Sequence, residues 1–138
     1  MYAHGMIGPV LALVLWTFVL WLWMYVTRIP AMQKANIDVE DLARTGAPLV
    51  LPAEVSRVAD NYNHLHEQPT LFYAVALSAQ LAGTADGLSI GLAWGYVALR
   101  VVHSLIQATK NPIMVRFGIF SVGSVVLFAL LVRTILAL

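Results

Sequence analysis

The feature that most constrains the fold is an uncharged, apolar stretch near the start of the chain, residues 6–26. Only Gly8, Pro9 and Thr17 interrupt it. A helix that crosses the hydrocarbon core of a bilayer needs about 20 predominantly apolar residues. No basic residue precedes this stretch and no small-residue cleavage pattern follows it. The sequence therefore predicts a membrane-spanning helix over residues 6–27 and not a signal peptide.

Three further segments, residues 53–83, 88–109 and 113–138, carry apolar runs bounded by turn signals. The composition agrees with several membrane spans, because 60% of the residues are hydrophobic and 11% are charged. A soluble domain has about 25% charged residues. The sequence therefore predicts an all-α integral membrane protein, a four-transmembrane-helix bundle in one domain (1–138) with a long cytoplasmic loop over residues 28–52.

The second predicted helix has a polar first half and an apolar second half. Its apolar part begins only at residue 71, so the span must start near residue 65 to reach roughly 28 Å. The span then includes His66 and Glu67 close to one interface. Pro69 follows at once, and a proline removes one helical hydrogen bond and crowds the preceding turn. The sequence predicts a continuous helix with a kink at this proline.

Basic residues are unevenly distributed among the connections. Those of the first loop, its flanks and the third connection are Arg28, Lys34, Arg44, Arg57, Lys110 and Arg116. Because cytoplasmic loops carry an excess of Lys and Arg, we expect both connections in the cytoplasm and both termini outside it, in a plasma (inner) membrane. Arg133 is the exception and is expected to reach the far interface. The net charge of +1 indicates no nucleic-acid partner.

Two of the predicted helices carry polar side chains at three- and four-residue steps, which place them on one face. These residues are Arg57, Asp60 or Asn61, His64 and Glu67 on the second helix, and Tyr96, Arg100, His103 and Gln107 on the third. Polar groups in a bilayer need partners, so we expect the two faces to meet. We expect Arg100 to pair with Glu67, and His64 or His103 to hydrogen-bond to that pair.

Three interpretations of these faces stay open: a structural network without catalysis, a ligand pocket, and a metal site made of His64, Glu67 and His103. The metal site is the weakest, because one His–carboxylate pair at this spacing does not make a repeated ligand motif. The chain has no cysteine, which excludes disulfides, a thiol nucleophile and thiolate metal ligands. His4, near the N-terminus, is expected to be solvated.

Arginines cluster in the half of the predicted bundle that faces the cytoplasm: Arg28, Arg57, Arg100 and Arg116. Guanidinium groups bind carboxylates through paired hydrogen bonds, so the cluster suits a small polyanionic ligand. It also suits anionic lipid headgroups. The bias of basic residues toward the cytoplasm accounts for part of the cluster without any ligand.

The segments NHLHEQPTLFYA (63–74), AWGYVALRVVHS (93–104) and NPIMVR (111–116) resemble the MAPEG family, the membrane-associated proteins of eicosanoid and glutathione metabolism. The resemblance covers nearly the whole chain and is to bacterial members whose function is not assigned. It implies a four-helix protomer, usually in a homotrimer. It also implies that glutathione binds between neighbouring protomers, near the cytoplasmic side.

The family's site residues carry over in part. Glu67, Pro69 and Arg100 match the family pattern, whereas His64 stands at an Asn position, Asp60 at an Arg position, and His103 and Gln107 at tyrosine positions. Arg57 lies one turn further from the glutamate than the family's arginine. The resemblance implies that Arg116 is catalytic and holds the glutathione sulfur as a thiolate. It also implies a glutathione-binding set of Arg28, Arg57, His64, Glu67, Arg100, His103 and Gln107.

Two functions follow from the resemblance. The first is a glutathione-dependent transferase or peroxidase, with glutathione as co-substrate and a small lipophilic substrate that enters from membrane lipid. An arginine beside a thiol lowers its pKa, so Arg116 supports this reading. The alternative is a non-catalytic membrane module that binds lipid, another hydrophobic ligand or partner membrane proteins. Asp60, which would repel a glutathione carboxylate, supports that alternative.

Overall fold

The structure is a computed structural model and describes residues 5–138. Its elements are α1 (Ile7–Lys34), α2 (Val39–Thr45), α3 (Ala53–His64), α4 (Gln68–Leu81), α5 (Gly87–Ala108) and α6 (Ile113–Leu136). The predicted all-helical fold is confirmed. Three helices, α1, α5 and α6, are long and apolar enough to cross a membrane. The expectation for His4 lies outside the described residues.

The predicted continuous helix over residues 53–83 is wrong, because the chain leaves helical geometry at residues 65–67 and begins a new helix, α4. Pro69 lacks an N–H donor for the carbonyl of Leu65, four residues earlier, and its ring crowds that carbonyl, so one regular helix does not continue through it. Pro69 is tolerated in the first turn of α4, where that donor is not needed. The 14 residues of α4 extend about 21 Å, so α4 is shorter than a bilayer core.

The break exposes backbone groups, and nearby side chains bind two of the carbonyls. The Nδ1–H of His66 donates to the carbonyl of Tyr62 at 2.9 Å, since a carbonyl only accepts. The Thr70 hydroxyl donates to the carbonyl of Glu67 at 2.6 Å. Non-helical backbone at membrane depth needs such partners. The polarity of the 61–70 segment therefore supports a helix break.

Helix α1 runs through Pro30 to Lys34, further than the predicted end at residue 27. Its 28 residues extend about 42 Å, more than the roughly 30 Å core of a bilayer. The positive φ of Asn36 (52°) follows its last turn. The connection over residues 28–52, predicted as a loop, also contains helix α2. Asp38 caps the N-terminus of α2 and Gly46 caps its C-terminus.

The two ends of the bundle carry different connections. At one end the Met6 N–H donates to Gln80 Oε1 at 2.8 Å, and Arg133 pairs with Asp86 at 2.6 Å. The opposite end, here called the loop end, holds the α1–α3 and α5–α6 connections, residues 35–52 and 109–112. Arg133 thus lies far from the other basic connections, as the sequence indicates. The orientation of the loop end toward the cytoplasm stays a prediction.

Gln68 joins three helices through its amide. Its Nε2 donates to Ser124 Oγ of α6 at 2.7 Å, and its Oε1 accepts from the Tyr96 hydroxyl of α5 at 3.0 Å. Tyr96 is fully buried and stacks on Phe72 of α4, with ring centroids 4.7 Å apart. The short helix α4 is therefore attached to the bundle by both packing and hydrogen bonds.

Replacing Gln68 by leucine should lower the free energy of unfolding by about 1–3 kcal/mol, because the buried Tyr96 hydroxyl loses its acceptor. Thermal unfolding in detergent, followed by near-ultraviolet circular dichroism, measures this effect. Gln33→Leu is the control, since Gln33 is exposed near the end of α1. Equal melting temperatures for Gln68→Leu and the wild type would contradict the assigned role.

Asp86 caps α5 in the turn that precedes it, outside the membrane-spanning segments. The Ser89 backbone N–H donates to its carboxylate at 2.8 Å, and this bond, together with Arg133, lowers the pKa of Asp86 below its usual value. Because the folded-state pKa is the lower one, the stabilisation is complete above the unfolded-state pKa and is lost as the pH falls through the folded-state value.

We therefore expect Asp86→Ala to melt at a lower temperature than the wild type at pH 7. The gap should begin to narrow below about pH 4, where the carboxyl group becomes protonated in the unfolded state, and should narrow further until the pH lies below the lowered folded-state pKa. Melting curves over a pH series provide the measurement, with the exposed Glu54→Ala as control. A gap that stays constant down to the lowest pH would show that the charge of Asp86 does not contribute.

Candidate functional site

The polar faces of α3 and α5 meet inside the bundle, as the spacing predicts. On α5 the four residues at the predicted steps are all buried: Tyr96, Arg100, His103 and Gln107. Helix α3 contributes Asn61, which is fully buried, and His64, which is half-buried. The interface between these two helices is consequently lined by polar side chains instead of a continuous apolar core.

Arg100 binds His64 across this interface. Its Nη2 lies 2.7 Å from His64 Nδ1, and a guanidinium group only donates hydrogen bonds. His64 must therefore accept at Nδ1, which makes it a neutral imidazole with its proton on Nε2. Arg100 is 2% exposed. Its buried guanidinium cation is therefore hydrogen-bonded to a neutral imidazole and not to a counter-ion.

The expected pair of Arg100 with Glu67 is wrong. Glu67 is exposed, and the ion pairs within residues 5–138 are Arg44–Asp41 and Arg133–Asp86. The cause is the end of α3 at His64, since an uninterrupted helix would have kept Glu67 on the face of His64. The backbone of Glu67 instead has φ −93° and ψ −98°, which is not helical.

The two histidines of the interface stack on each other. The ring centroids of His64 and His103 are 5.0 Å apart and their planes differ by 19°. Phe120 of α6 packs edge-on against His64 at 5.5 Å. The position of His64 is therefore determined by three contacts: the Arg100 guanidinium, the His103 ring and an aromatic side chain of α6.

A cavity of about 230 Å³ opens beside these histidines at the loop end. Its lining residues are His64, His103, Gln107, Ile113, Arg116, Phe117 and Phe120. Arg116 is half-buried, and its Nη1 donates to Asn111 Oδ1 at 2.6 Å. Asn111 has a positive φ of 54°. We call this space the Arg116 cavity. Four of the predicted site residues line it, namely His64, His103, Gln107 and Arg116. Their roles in binding and catalysis stay predictions.

Several buried polar atoms at the α3–α5 interface have no hydrogen-bond partner within the described part of the chain. They are Arg100 Nε and Nη1, His103 Nδ1, Gln107 Oε1, Ser104 Oγ, and Asn61 Oδ1 and Nδ2. Buried polar groups are normally hydrogen-bonded, and leaving them unpaired costs free energy. The interface can therefore hydrogen-bond a polar ligand or ordered water.

From the sequence, Asn61 is named only as the alternative to Asp60 on this face, and Ser104 is not singled out. Asn61 precedes His64 by three residues, and Ser104 follows Arg100 by four, so helical spacing alone places each beside a predicted site residue. Both residue types also occur as ordinary surface residues. Helical spacing therefore places both residues near the predicted site, but it does not distinguish them from surface residues.

The remaining predicted residues lie elsewhere. Arg28 of α1 and Asp60 of α3 line a separate cavity. Arg57 is half-buried and Glu67 is exposed. The metal site of His64, Glu67 and His103 is wrong: residues 5–138 contain no group of three His, Cys, Asp or Glu side chains that could hold one metal ion. The roles of Arg28, Arg57 and Glu67 in glutathione binding stay predictions.

Comparison with known proteins assigns the family. The family model of the MAPEG family matches residues 6–136, nearly the whole chain. Curated proteins and solved structures gave no match. Three helices long and apolar enough to cross a membrane, together with the shorter helices α3 and α4, agree with this match. The chain therefore belongs to the MAPEG family and is an integral membrane protein.

Proposed function

We propose that the Arg116 cavity binds glutathione, or a similar anionic thiol, as the co-substrate of a transferase or peroxidase. The observation that carries the proposal is the charge of Arg116. Its guanidinium hydrogen-bonds to the amide oxygen of Asn111 at 2.6 Å, which is a neutral group. The positive charge at the cavity wall is therefore not neutralised by that contact and can attract an anion.

A thiolate is the nucleophilic form of a thiol, and a nearby guanidinium stabilises it. In the proposed transferase reaction the thiol of glutathione releases its proton to solvent. The sulfur then forms a bond to an electrophilic carbon of the lipophilic substrate, and the leaving group departs with the electron pair. With a peroxide, the sulfur would attack oxygen and release an alcohol, and a second thiol would complete the reduction.

Other residues at the cavity are suited to hold a peptide. Gln107 Oε1 and His103 Nδ1 are buried and without partners in residues 5–138, so they can hydrogen-bond to amide or carboxyl groups of a ligand. Phe117 and Phe120 line the same cavity, and Phe117 is exposed on α6. This apolar edge would admit a lipophilic substrate from the bilayer.

We also propose that the ligand lies between protomers of a homotrimer, as the resemblance implies, with the loop end in the cytoplasm. Gly91 and Gly95 of α5 support a close neighbour. A Cβ built at either position has no atom of the described residues within 4 Å. Small residues at such spacing allow helices to approach closely in membranes. Cross-linking of purified protein tests the trimer directly.

The first experiment is a thermal-shift measurement on detergent-purified protein with glutathione and with S-hexylglutathione. Saturable stabilisation is expected, because a ligand at 100 times its dissociation constant adds about 2.7 kcal/mol to the free energy of unfolding. An analogue with a methyl group in place of the thiol serves as the control that separates binding from thiolate formation. Absence of stabilisation by all three ligands would favour the alternative, a non-catalytic membrane module.

A further inference from the structure

The connection between α5 and α6 holds one residue in an unusual backbone conformation. Asn111 has a positive φ of 54°, in the left-handed region where asparagine and aspartate are enriched among residues other than glycine. Its backbone N–H donates to the carbonyl of Ile106 on α5 at 2.8 Å. Pro112 follows at once as the N-cap of α6, with a φ of −71°. The main chain of Asn111 is therefore restrained on both sides.

The side chain of Asn111 makes a further contact, with the first turn of α6. Its Oδ1 accepts a hydrogen bond from Arg116 Nη1 at 2.6 Å. The backbone N–H of Arg116 donates to the carbonyl of Pro112 at 3.0 Å, so Arg116 completes that first turn. Asn111 thus connects the end of α5 to the cationic residue that lines the Arg116 cavity.

The location of Arg116 explains why its guanidinium needs an anchor. The N-terminus of a helix carries a partial positive charge, so a cation is unfavourable there. A long arginine side chain also loses up to about 2 kcal/mol of rotamer freedom when it is fixed, and near an interface it can extend into water. Without a partner, the charge would therefore be distributed over many positions instead of staying at the cavity wall.

The chemical type of the anchor matters as well as its position. The amide oxygen of Asn111 is a neutral acceptor, whereas a carboxylate oxygen would form an ion pair with the guanidinium. A negative charge in contact with Arg116 would cancel much of the field that Arg116 exerts on a ligand. Because asparagine and aspartate have nearly the same shape, the choice between them changes the charge of the cavity wall but not its form.

We propose that Asn111 is a positioning residue that holds the Arg116 guanidinium at the cavity wall and leaves its positive charge free to face the thiol of the ligand. Asn111 does not line the Arg116 cavity itself and acts through Arg116. The inference rests on the proposed function and deepens it, because it names a second residue that determines the ionisation of that thiol.

The test titrates the ultraviolet thiolate absorbance of bound glutathione against pH, in detergent-purified protein at saturating glutathione. Asn111→Asp should raise the pKa of the bound thiol by about one unit or more, because a neutralised Arg116 stabilises the thiolate less. The thiolate fraction near neutral pH then falls about tenfold. Asn111→Gly removes the anchor, yet glycine adopts the left-handed conformation readily. It should raise the thiol pKa by a smaller amount.

Asn36 provides a matched control, because it is the other non-glycine residue with a positive φ within residues 5–138, at 52°. It is exposed after α1 and does not line the Arg116 cavity. Asn36→Asp should therefore leave the thiolate titration unchanged. A rise of equal size in Asn36→Asp would overturn the inference, since net charge alone would then explain the effect.

The titration also separates this inference from the proposed function. A normal thiolate titration in the wild type that folded Asn111→Asp leaves unchanged would overturn the role of Asn111 and leave the proposed function standing. If Asn111→Asp does not fold, Asn111→Gly decides by the same measurement. A wild type that forms no thiolate with glutathione would overturn both.

Discussion

Replacing Arg116 by alanine should abolish the thiolate absorbance of bound glutathione and leave the bundle folded. An opposite charge within about 4–6 Å lowers the pKa of an acidic group by roughly 1–3 units. Loss of the guanidinium should therefore reduce the thiolate fraction near neutral pH by about tenfold or more. Arg116 is half-buried at the loop end, so its truncation removes little packing. The ultraviolet difference spectrum between protein with and without glutathione measures the effect.

Two variants serve as controls for this prediction. Lys110→Ala removes an exposed cation of the same α5–α6 connection that does not line the Arg116 cavity, and should keep the thiolate signal. Arg116→Lys keeps the charge but loses the planar group that binds Asn111, and should keep part of the signal. An undiminished signal in Arg116→Ala would remove Arg116 from the mechanism.

Replacing Arg100 by methionine should raise the free energy of unfolding of the ligand-free protein by about 1–4 kcal/mol. Arg100 is buried, its one hydrogen-bond partner among residues 5–138 is the neutral His64, and its Nε and Nη1 are unpaired. A buried ion without a counter-ion costs several kcal/mol, whereas the lost hydrogen bond contributes about 1–3 kcal/mol. The desolvation cost is larger, so removing the charge should stabilise the fold.

The same variant should weaken the stabilisation by S-hexylglutathione if the buried charge serves ligand binding. Thermal unfolding of both proteins, with and without this ligand, gives both quantities. His64→Leu in the Arg100→Met background then removes the unpaired Nδ1 acceptor and should add further stability. A lower melting temperature of Arg100→Met would instead indicate that Arg100 and His64 form a structural network.

The helical content and the buried face of α5 could be predicted from local properties. A long apolar run has few alternatives to a membrane-spanning helix, because every backbone polar group in a bilayer must be hydrogen-bonded within the segment. The three- and four-residue steps from Tyr96 to Gln107 follow from helix geometry alone. These predictions required no knowledge of how the helices pack.

The partner of Arg100 and the place of Arg28 could not be predicted in this way. Glu67 is the acid at the expected spacing, but the break after His64 removes it from the face that Arg100 meets. Arg28 and Asp60 are distant in sequence and line one cavity because α1 packs against α3. Neither the hydrogen bond between Arg100 and His64 nor the cavity shared by Arg28 and Asp60 can be deduced from residue spacing within one segment.

The sequence by itself determined that this chain enters a membrane as helices, where its helices are polar, and which family it belongs to. Only the tertiary structure decided that α3 ends at His64, that Arg100 binds a histidine, and that Arg28 and Arg116 line separate cavities. The physical reason is the distance along the chain over which each of these properties acts. Hydrophobic length and helical periodicity act within one segment, whereas the pairing of buried charges depends on the packing of segments against each other.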